Sequence, residues 1–535
     1  METRICPVTN IRFEVMDSEI SVCKVFNVPL PKLHPQERLR EIMATRNERN
    51  LYARKCDSTG GQIISAYASD SKFKIYKNSI WWGDSWDPLE YGKDFDFNKT
   101  FFQQFDDLQT EVPREGTTIF NSENCEYNSH IRNSKDCYLS SLIASSEDCI
   151  YSYWLTDVKD SVDCTYANMS ELCYWCLDID RCFNCTALTE SINCADCHFS
   201  YQLRGCNNCI FCTNLANKDC YIFNKKCSKD EFEKLRNEIF NGSIKSWLNA
   251  KGKFEEIIKK APKKYLRILK SENSVGDHVY NSKNCINCFD AHEMEDAYNS
   301  ASLGDSKDVY SSYSVGWPRS ELIYYSCVVR SSQRCAFCKY IWQSSDLLYC
   351  DSCMSCKNCF GCIGLKHKDY CILNKQYTRD EYFNLLEKIT LHMQSTGEWG
   401  EFFPKQMSPF AYNESPAHDF FPLTKEEAIS RGYKWKYEAD TQLHSQSVTN
   451  DVLTCGICKK NYRLINQELK FYEQHGLPIP VNCPNCRHKE RFEKRNEYKI
   501  YKRICDGCKS PIFTTYTQDG GDVVYCEKCY QEDIN

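Results

Sequence analysis

A period of twelve residues constrains this fold more than any other feature of the sequence. From residue 121 to residue 216 the chain divides into eight consecutive rows of twelve without an insertion. Small or aliphatic residues, mainly Ser and Cys, recur at the second, fifth, eighth and eleventh positions of the rows, and Asp or Asn dominates the fourth. A short fixed period with small inward columns predicts a parallel β-solenoid, in which each row is one coil that stacks on the next.

A second set of rows predicts a second solenoid. It begins at Asn281 and continues to about Cys371, with a two-residue slip near 329. Each set is followed by a capping-box sequence, Ser228-Lys-Asp-Glu231 after the first and Thr378-Arg-Asp-Glu381 after the second. We therefore expect a helix to close the end of each stack, since a bare terminal coil would present an unpaired edge.

Four Cys-x-x-Cys knuckles near the C-terminus predict two metal sites. Two knuckles together supply the four thiolates of a tetrahedral, structural Zn²⁺ site, so two zinc ions per chain are expected. Consecutive knuckles are expected to pair, although interleaved pairing would use the same ligands. The eight predicted ligands are Cys455, Cys458, Cys483, Cys486, Cys505, Cys508, Cys526 and Cys529.

The N-terminal segment is a degenerate copy of this zinc-ribbon module. A shift of 449 positions places Cys6 on Cys455, the segment 46–48 on 495–497, and Cys56 on Cys505, without an insertion or deletion. Such agreement indicates internal duplication. Six of the eight ligand positions hold other residues in the copy, so we expect it to be poor in metal: Thr9, His34, Glu37, Thr59, Lys77 and Ile80.

A basic segment between the second and third knuckles is a candidate nucleic-acid-binding surface. Residues 487–503 contain eight Lys or Arg and three Glu, in a chain whose formal net charge is −6. Such a segment could bind phosphates; the alternative is an ordinary solvated helix face with local Glu–Lys pairs. The candidate residues are Arg487, Lys489, Arg491, Lys494, Arg495, Lys502 and Arg503.

The cysteines of the rows have three possible roles. Free Cys packs as a small hydrophobe, which suits a thin coil interior. Two stacked rows of thiols could also bind Zn²⁺ or an iron–sulfur cluster, or form disulfides. The residues that could bind metal are Cys182, Cys185, Cys194, Cys197, Cys206, Cys209, Cys212, Cys356, Cys359 and Cys362.

These patterns predict a mainly β chain with two solenoids, each with a capping helix, between two zinc-ribbon or treble-clef-like modules. The expected parts are a degenerate module (1–92), a connector (93–117), the first solenoid with its helix (118–240), a helical linker (241–268), the second solenoid with its helix (269–392), a linker (393–450) and the two-zinc module (451–535). The start of the sequence has no secretory signal and no long apolar run is present, so a cytoplasmic protein without a membrane segment is expected.

The chain resembles an uncharacterised family of cysteine-rich bacterial and phage proteins. The resemblance rests on the Arg-Asn-Glu-Arg-Asn-Leu-Tyr run at 46–52, Trp81-Trp82, Asn-Lys-Gln-Tyr at 374–377 and the final ribbon. It implies no activity, and no P-loop, zincin or nucleophile-elbow motif is present. We therefore expect a non-catalytic zinc-binding scaffold that binds nucleic acid or a ribonucleoprotein through its terminal modules. The alternatives are a protein that stores or transfers metal through the solenoid thiols, and a scaffold that binds protein partners along the solenoid faces.

Overall fold

The N-terminal module consists of two antiparallel hairpins, three helices, a short strand and a 3₁₀ turn. A computed structural model describes residues 2–437 and 452–534 of the chain. The first hairpin pairs β1 with β2, and the second pairs β3 with β4. The module contains β1 (Glu2–Ile5), β2 (Arg12–Val15), α1 (Asp17–Val25), α2 (Pro35–Met43), β3 (Tyr52–Lys55), β4 (Gln62–Ser65), β5 (Ile75–Tyr76), α3 (Asn78–Trp81) and a 3₁₀ turn (Pro88–Tyr91).

The expected connector 93–117 contains a core helix. Helix α4 (Phe101–Glu111) begins with a capping box formed by Thr100 and Gln103. Its Phe101 and Phe105 side chains are fully buried, and the Phe101 ring lies 5.0 Å from that of Phe360. Strand β6 (Arg114–Glu115) then pairs in parallel with β5. The connector is therefore part of the hydrophobic core, because its aromatic face packs on the second set of rows.

The first stack (residues 119–226) is a parallel sheet whose strands are related by twelve residues. Ile131 pairs with Ile143, and this ladder continues through Leu155 and Ala167 to Ile179. Bridges at other positions of the rows repeat the same step. Its strands are β7 (Ile119–Phe120), β8 (Ser129–Arg132), β9 (Ser141–Ala144), β10 (Glu147–Ile150), β11 (Tyr153–Thr156), β12 (Lys159–Val162), β13 (Thr165–Asn168), β14 (Leu177–Asp180), β15 (Thr186–Ile192), β16 (Ala195–Tyr201), β17 (Asn207–Ile210), β18 (Asp219–Ile222) and β19 (Lys225–Lys226).

The backbone turns a corner at nearly every third residue of these rows. Asn124 has φ 52°, but so do bulkier residues such as Leu139 (45°) and Trp154 (60°). Asn and Asp adopt this left-handed conformation most easily among residues with a Cβ, which explains their excess at the fourth position. They also connect the rows, since the Asn124 amide donates a 2.7 Å hydrogen bond to Asp136.

Two helices follow the first stack. Helix α5 (Lys229–Ile239) has the predicted capping box of Ser228 and Glu231, and its Phe232 is fully buried. Helix α6 (Ile244–Lys260) occupies the expected helical linker and buries Trp247, Ala250 and Phe254. Strand β20 (Lys263–Lys264) ends this segment.

The second stack (residues 268–376) repeats the parallel arrangement with one insertion and with a shorter spacing at its start, where Val275 pairs with Ile286, eleven residues later. Gly304 pairs with Gly316, twelve residues later, but Ser306 pairs with Ser320, fourteen residues later. The two extra residues therefore lie between 316 and 320, and the predicted position near 329 was wrong. The strands are β21 (Ile268–Leu269), β22 (Val275–Tyr280), β23 (Lys283–Tyr310), β24 (Tyr313–Tyr324), β25 (Cys327–Arg330), β26 (Gln333–Ala336), β27 (Lys339–Trp342), β28 (Ser345–Leu348), β29 (Lys357–Phe360), β30 (Asp369–Ile372) and β31 (Lys375–Gln376).

The expected linker 393–450 is ordered where the structure describes it, up to residue 437. Helix α7 (Arg379–Thr396) has the predicted capping box of Thr378 and Glu381. Beyond it, Phe403, Tyr412 and Phe420 are buried in the same core as the N-terminal module. The elements of this segment are 3₁₀ turns (Lys405–Met407 and Tyr412–Glu414), α8 (Pro416–Phe420) and α9 (Lys425–Ser430). Residues 438–451 of the expected linker and its junction lie outside the described residues.

The C-terminal module (residues 452–534) reproduces the N-terminal one element by element. The bounds of α10, α11, β34, β35 and β36 lie 449 positions after those of α1, α2, β3, β4 and β5, the same shift that relates the two sequences. The module contains β32 (Leu453–Thr454), β33 (Asn461–Tyr462), α10 (Asn466–Gln474), α11 (Pro484–Phe492), β34 (Tyr501–Ile504), β35 (Pro511–Thr514), β36 (Val524–Tyr525) and α12 (Glu527–Ile534). Strand β36 pairs with β20, just as β5 pairs with β6.

The two stacks lie side by side in opposite directions. The His130 ring stacks on Tyr340 at 6.1 Å, so early rows of the first stack meet late rows of the second. At the other end, Arg267, directly before the second stack, pairs with Glu190 of the first. Each module adjoins the start of one stack. No helix in 2–437 or 452–534 is both long and apolar enough to cross a lipid bilayer.

Candidate metal centres and the buried arginine contacts

The eight predicted thiol ligands form two separate groups of four. Within each group the sulfur atoms all lie within 4.8 Å of one another. The first group is Cys455, Cys458, Cys483 and Cys486, and the second is Cys505, Cys508, Cys526 and Cys529. Consecutive knuckles are thus brought together, rather than interleaved ones.

Local hydrogen bonds favour the negatively charged form of at least one sulfur in each group. The N–H of Cys483 donates to Cys455 Sγ at 3.3 Å, and that of Cys526 donates to Cys505 Sγ at 3.2 Å. Burial raises the pKa of Cys455, but N–H groups including that of Cys483 outweigh it and lower this pKa to about 6. Hydrogen bonds from Ser510 likewise lower the pKa of Cys508 to about 6. A thiolate is the form that binds a metal ion.

The spacing of the sulfurs fits a tetrahedral ion. A Zn–S bond of about 2.3 Å in tetrahedral geometry places two sulfurs about 3.8 Å apart. The Sγ–Sγ distance is 3.7 Å between Cys458 and Cys483 and also 3.7 Å between Cys508 and Cys526. Both groups could therefore hold one metal ion each, and four thiolates leave no position for a reacting water.

The helix that carries two of these thiols also buries two arginines against the first stack. Helix α11 begins directly after Cys483 and includes Cys486, Arg487 and Arg491. The carboxylate of Asp163 is fully buried between the two guanidinium groups, 2.9 Å from Arg487 Nε and 2.7 Å from Arg491 Nη1. Arg487 also pairs with Glu468 of α10 at 3.3 Å. Metal ligands and interface charges thus share one helix.

Arg495 connects the C-terminal module to both stacks. Its guanidinium donates to the two carboxylate oxygens of Asp290 in the second stack, at 2.6 and 3.1 Å. Its Nε donates to Asp178 of the first stack at 3.2 Å. The guanidinium carbon lies 3.8 Å from the ring centre of Tyr166, a cation–π contact. One side chain therefore joins three parts of the molecule.

These contacts correct the nucleic-acid interpretation for five of the seven basic residues. Arg487, Arg491 and Arg495 are occupied by carboxylates, and buried Arg503 donates to Asp506 at 2.8 Å and to the carbonyl of Thr517 at 2.7 Å. The Lys494 ammonium lies 3.9 Å from the ring centre of Trp175, and burial lowers its pKa to about 8. None of the five is available to a phosphate. Lys489 and Lys502 remain exposed.

The N-terminal module keeps the arginine contacts without the four-cysteine sets. Arg38, the counterpart of Arg487, forms a fully buried ion pair with Glu19, the counterpart of Glu468. At the former ligand positions, His34 caps α2 and Glu37 pairs with Arg40. Arg38 and Arg40 of this module therefore also form ion pairs inside the protein. These ion pairs give the basic residues a structural role that does not depend on the cysteines.

The cysteines of the stacks donate hydrogen bonds to the backbone. Each of the ten candidate thiols is at most 2% exposed and lies 3.2–3.5 Å from the carbonyl oxygen two residues earlier. Ser134 at an equivalent position does the same at 2.8 Å. Among the described residues, no three of these thiols have sulfurs mutually within 4.8 Å. This geometry favours packing over metal binding.

Sequence reasoning missed the acidic partners of the arginines. Asp163, Asp178 and Asp290 lie in the stacks, and nothing in their rows distinguishes them from the Asp residues of ordinary corners. Glu468 was recognisable, since a shift of 449 places it on Glu19 just as it places Arg487 on Arg38. A retained pair of opposite charges in two copies was the available signal.

Comparison with known proteins finds no matching family model, no matching curated protein and no matching solved structure.

Proposed function

We propose that this protein is a non-catalytic scaffold in which two zinc ions stabilise the C-terminal module, and in which that module and its copy hold two β-solenoids side by side. The observation that carries the proposal is the shared helix α11, which supplies Cys483 at its start, Cys486, and the arginines that meet Asp163. The proposal agrees with the resemblance to cysteine-rich proteins that have a terminal ribbon, and that resemblance stays a prediction.

Elemental analysis of protein purified under reducing conditions tests the metal content. We expect two zinc ions per full-length chain, one in Cys483→Ser and one in Cys526→Ser, since each variant disables one group of four. Cys173→Ser in the first stack is the matched control and should keep both ions. One ion or none in the wild type would contradict the proposal.

Metal storage by the stack thiols is the rival function. It predicts zinc or iron beyond two ions per chain, retained in the double variant Cys483→Ser with Cys526→Ser. The thiol-to-carbonyl hydrogen bonds support passive packing instead, so we expect no ions beyond two.

Nucleic-acid binding by the terminal modules would have to use Lys489 and Lys502. Two exposed lysines neutralise few phosphates, so binding through this surface would be weak and strongly dependent on salt. Charge reversal of both residues tests it.

A further inference from the structure

Two arginines of the stacks have no anionic partner and converge on one point. Arg132 Nη1 lies 3.4 Å from the carbonyl oxygen of Trp317, and Arg330 Nη1 lies 3.5 Å from the same oxygen. Arg330 also donates to the carbonyl of Gly316 at 2.8 Å. Neither guanidinium has a carboxylate within 4.0 Å in residues 2–437 or 452–534. Two like charges held together without a counterion attract an anion.

The charge of half-buried Arg330 is costly to the protein. Burial, together with neighbouring Arg132 and Arg46, lowers the pKa of Arg330 to about 9. Most buried arginines of this molecule, such as Arg491, sit against a carboxylate. A buried arginine without a carboxylate partner is a candidate for binding an anion from outside the chain.

One exposed and several half-buried aromatic rings border the two arginines. Phe120, which is 61% exposed, is the row neighbour of Arg132, and half-buried Trp342 is the row neighbour of Arg330. Trp82 of the N-terminal module joins them, 6.4 Å from the Phe120 ring and 6.2 Å from the Trp342 ring. We call Trp82, Phe120, Arg132, Trp317, Arg330 and Trp342 the aromatic–arginine platform.

The insertion in the second stack builds one side of this platform. The extra residues place the Trp317 indole over Gly304, where a Cβ would lie 1.9 Å from the ring. The ring also contacts Trp154 of the first stack, at 6.3 Å. The insertion therefore lies at the point where both guanidiniums approach the Trp317 carbonyl.

We propose that the aromatic–arginine platform binds single-stranded nucleic acid, with Arg132 and Arg330 on the phosphates and Phe120, Trp317 and Trp342 stacked on bases. Unpaired guanidiniums supply the charge complementarity, and aromatic faces stack on bases that a duplex keeps covered. Apart from Trp82, the platform lies on the stacks, and it uses none of the seven basic residues of the C-terminal module predicted from the sequence. It is independent of the metal sites.

The carboxyl group beside the platform is compatible with an anionic ligand. Glu115 accepts hydrogen bonds from the Trp82 indole and from Thr118. Burial raises the pKa of Glu115 to about 8, so it carries little charge at neutral pH. Lys366, 5.1 Å from the ring centre of Trp82, adds a further positive charge.

Fluorescence anisotropy with fluorescein-labelled oligo(U) and oligo(dT) of about 12 nucleotides tests the proposal on the zinc-loaded, full-length protein. We expect binding at about 50 mM salt that weakens steeply by 200 mM. Arg132→Ala with Arg330→Ala should weaken binding at least tenfold and make the slope of log affinity against log salt shallower by about 1.4, since each phosphate contact on a single strand contributes about 0.7. Trp342→Ala should weaken binding by about tenfold and leave that slope unchanged, because stacking releases no counterions.

The matched control replaces two exposed arginines elsewhere on the same stacks. Arg204→Ala with Arg334→Ala makes the same change in net charge and should alter the affinity less than twofold. Because Arg330 is half-buried, exposed Arg132→Ala alone serves as a second variant, and zinc content with the melting temperature reports on folding. Lack of wild-type binding at low salt would overturn the proposal. So would equal losses in both double variants, or loss only in Lys489→Glu with Lys502→Glu.

Discussion

Individual buried charges hold the modules on the stacks. Asp163 lies between Arg487 and Arg491 with no solvent exposure, and Glu48 of the N-terminal module accepts hydrogen bonds from Tyr153 of the first stack and Tyr313 of the second. A buried pair of this kind adds little net free energy, but removal of one partner leaves an uncompensated charge. Such contacts therefore fix where the modules dock more than how stable the chain is.

Asp163→Asn should lower the free energy of unfolding by about 3–5 kcal/mol, because two buried guanidiniums lose their shared carboxylate. Urea denaturation followed by circular dichroism measures it. Asp157→Asn, an exposed corner Asp of the same row, is the control and should change the free energy of unfolding by less than about 0.5 kcal/mol. Equal effects of the two variants would contradict a clamp at Asp163.

Asp351 should make stability depend on acid pH. Burial raises its pKa, but Lys339 and Arg114 outweigh this and hold it at about 2, below the value of about 3.9 in an unfolded chain. The folded state therefore binds this proton less readily, so the contribution of Asp351 is present above about pH 4 and is lost as pH falls towards 2. The stability difference between the wild type and Asp351→Asn should shrink by roughly 2–3 kcal/mol over this window. A difference that stays constant from pH 5 to pH 2.5 would exclude the effect.

At the scale of the element, each row is a strained but regular turn of chain. Corners require positive φ, and inward positions require a small side chain that returns a hydrogen bond to the backbone. Ser134 donates to the carbonyl of Arg132 and accepts the N–H of Ser146, one row later. Cysteine donates the same hydrogen bond from its sulfur, which is larger and less polar than a hydroxyl oxygen. The many cysteines therefore reflect the limited space inside each row.

Met169→Asn should raise stability by about 1 kcal/mol. Met169 occupies a corner with φ 43° and is 47% exposed, so the change relieves a left-handed methionine at little loss of packing. Thermal denaturation monitors the change. The control is Glu171→Asn at an extended position of the same row, where stability should not rise; a rise there too would point to a cause other than the corner.

At the scale of the molecule, the two terminal modules share a backbone arrangement and both pack against the stacks, but their cysteine content differs. The C-terminal copy has two sets of four thiols, and the N-terminal copy has only Cys6 and Cys56 at those positions. The backbone at this position has the same conformation in both copies. The N–H of Lys77 donates to Cys56 Sγ at 3.2 Å, and the N–H of Cys526 donates to Cys505 Sγ at the same distance. The N-terminal copy packs into a core formed with α4, α7 and the segment that follows α7, a core that Phe492 and Tyr498 of the C-terminal copy also join.

Removal of metal should therefore loosen one module and spare the other. Hydrogen exchange with a strong chelator should increase at β34 and β35 while β3 and β4, the equivalent hairpin, stay protected. The copies serve as controls for each other within one molecule. Equal deprotection of both hairpins would show that metal acts on the whole fold, and no deprotection would show that the thiol groups carry no structural ion.

Local patterns were predictable from the sequence, and contacts between distant segments were not. The knuckle spacing, the twelve-residue register and the capping boxes depend on neighbours within a few residues or on one repeat. The burial of Arg487, Arg491 and Arg495 depends on how the two stacks align in opposite directions, which no single row encodes. The burial of α4 and of residues 399–423 also depends on distant segments. From the sequence alone both were predicted to be a connector or a linker, because the residues that their aromatic rings contact lie far away in the chain.

The order of the parts along the chain has a consequence during synthesis. Trp399 donates a 2.7 Å hydrogen bond to the carbonyl of Asn27, and Tyr52 donates to the carboxylate of Glu414, across 372 and 362 residues. A ribosome adds about 5–20 residues per second, so the first module waits on the order of 20–70 s for these partners. During that interval its aromatic surface is open to chaperones or to the same segment on a neighbouring ribosome. Slower translation upstream of residue 399 should therefore lower the yield of folded protein, whereas a pause after residue 437 should not.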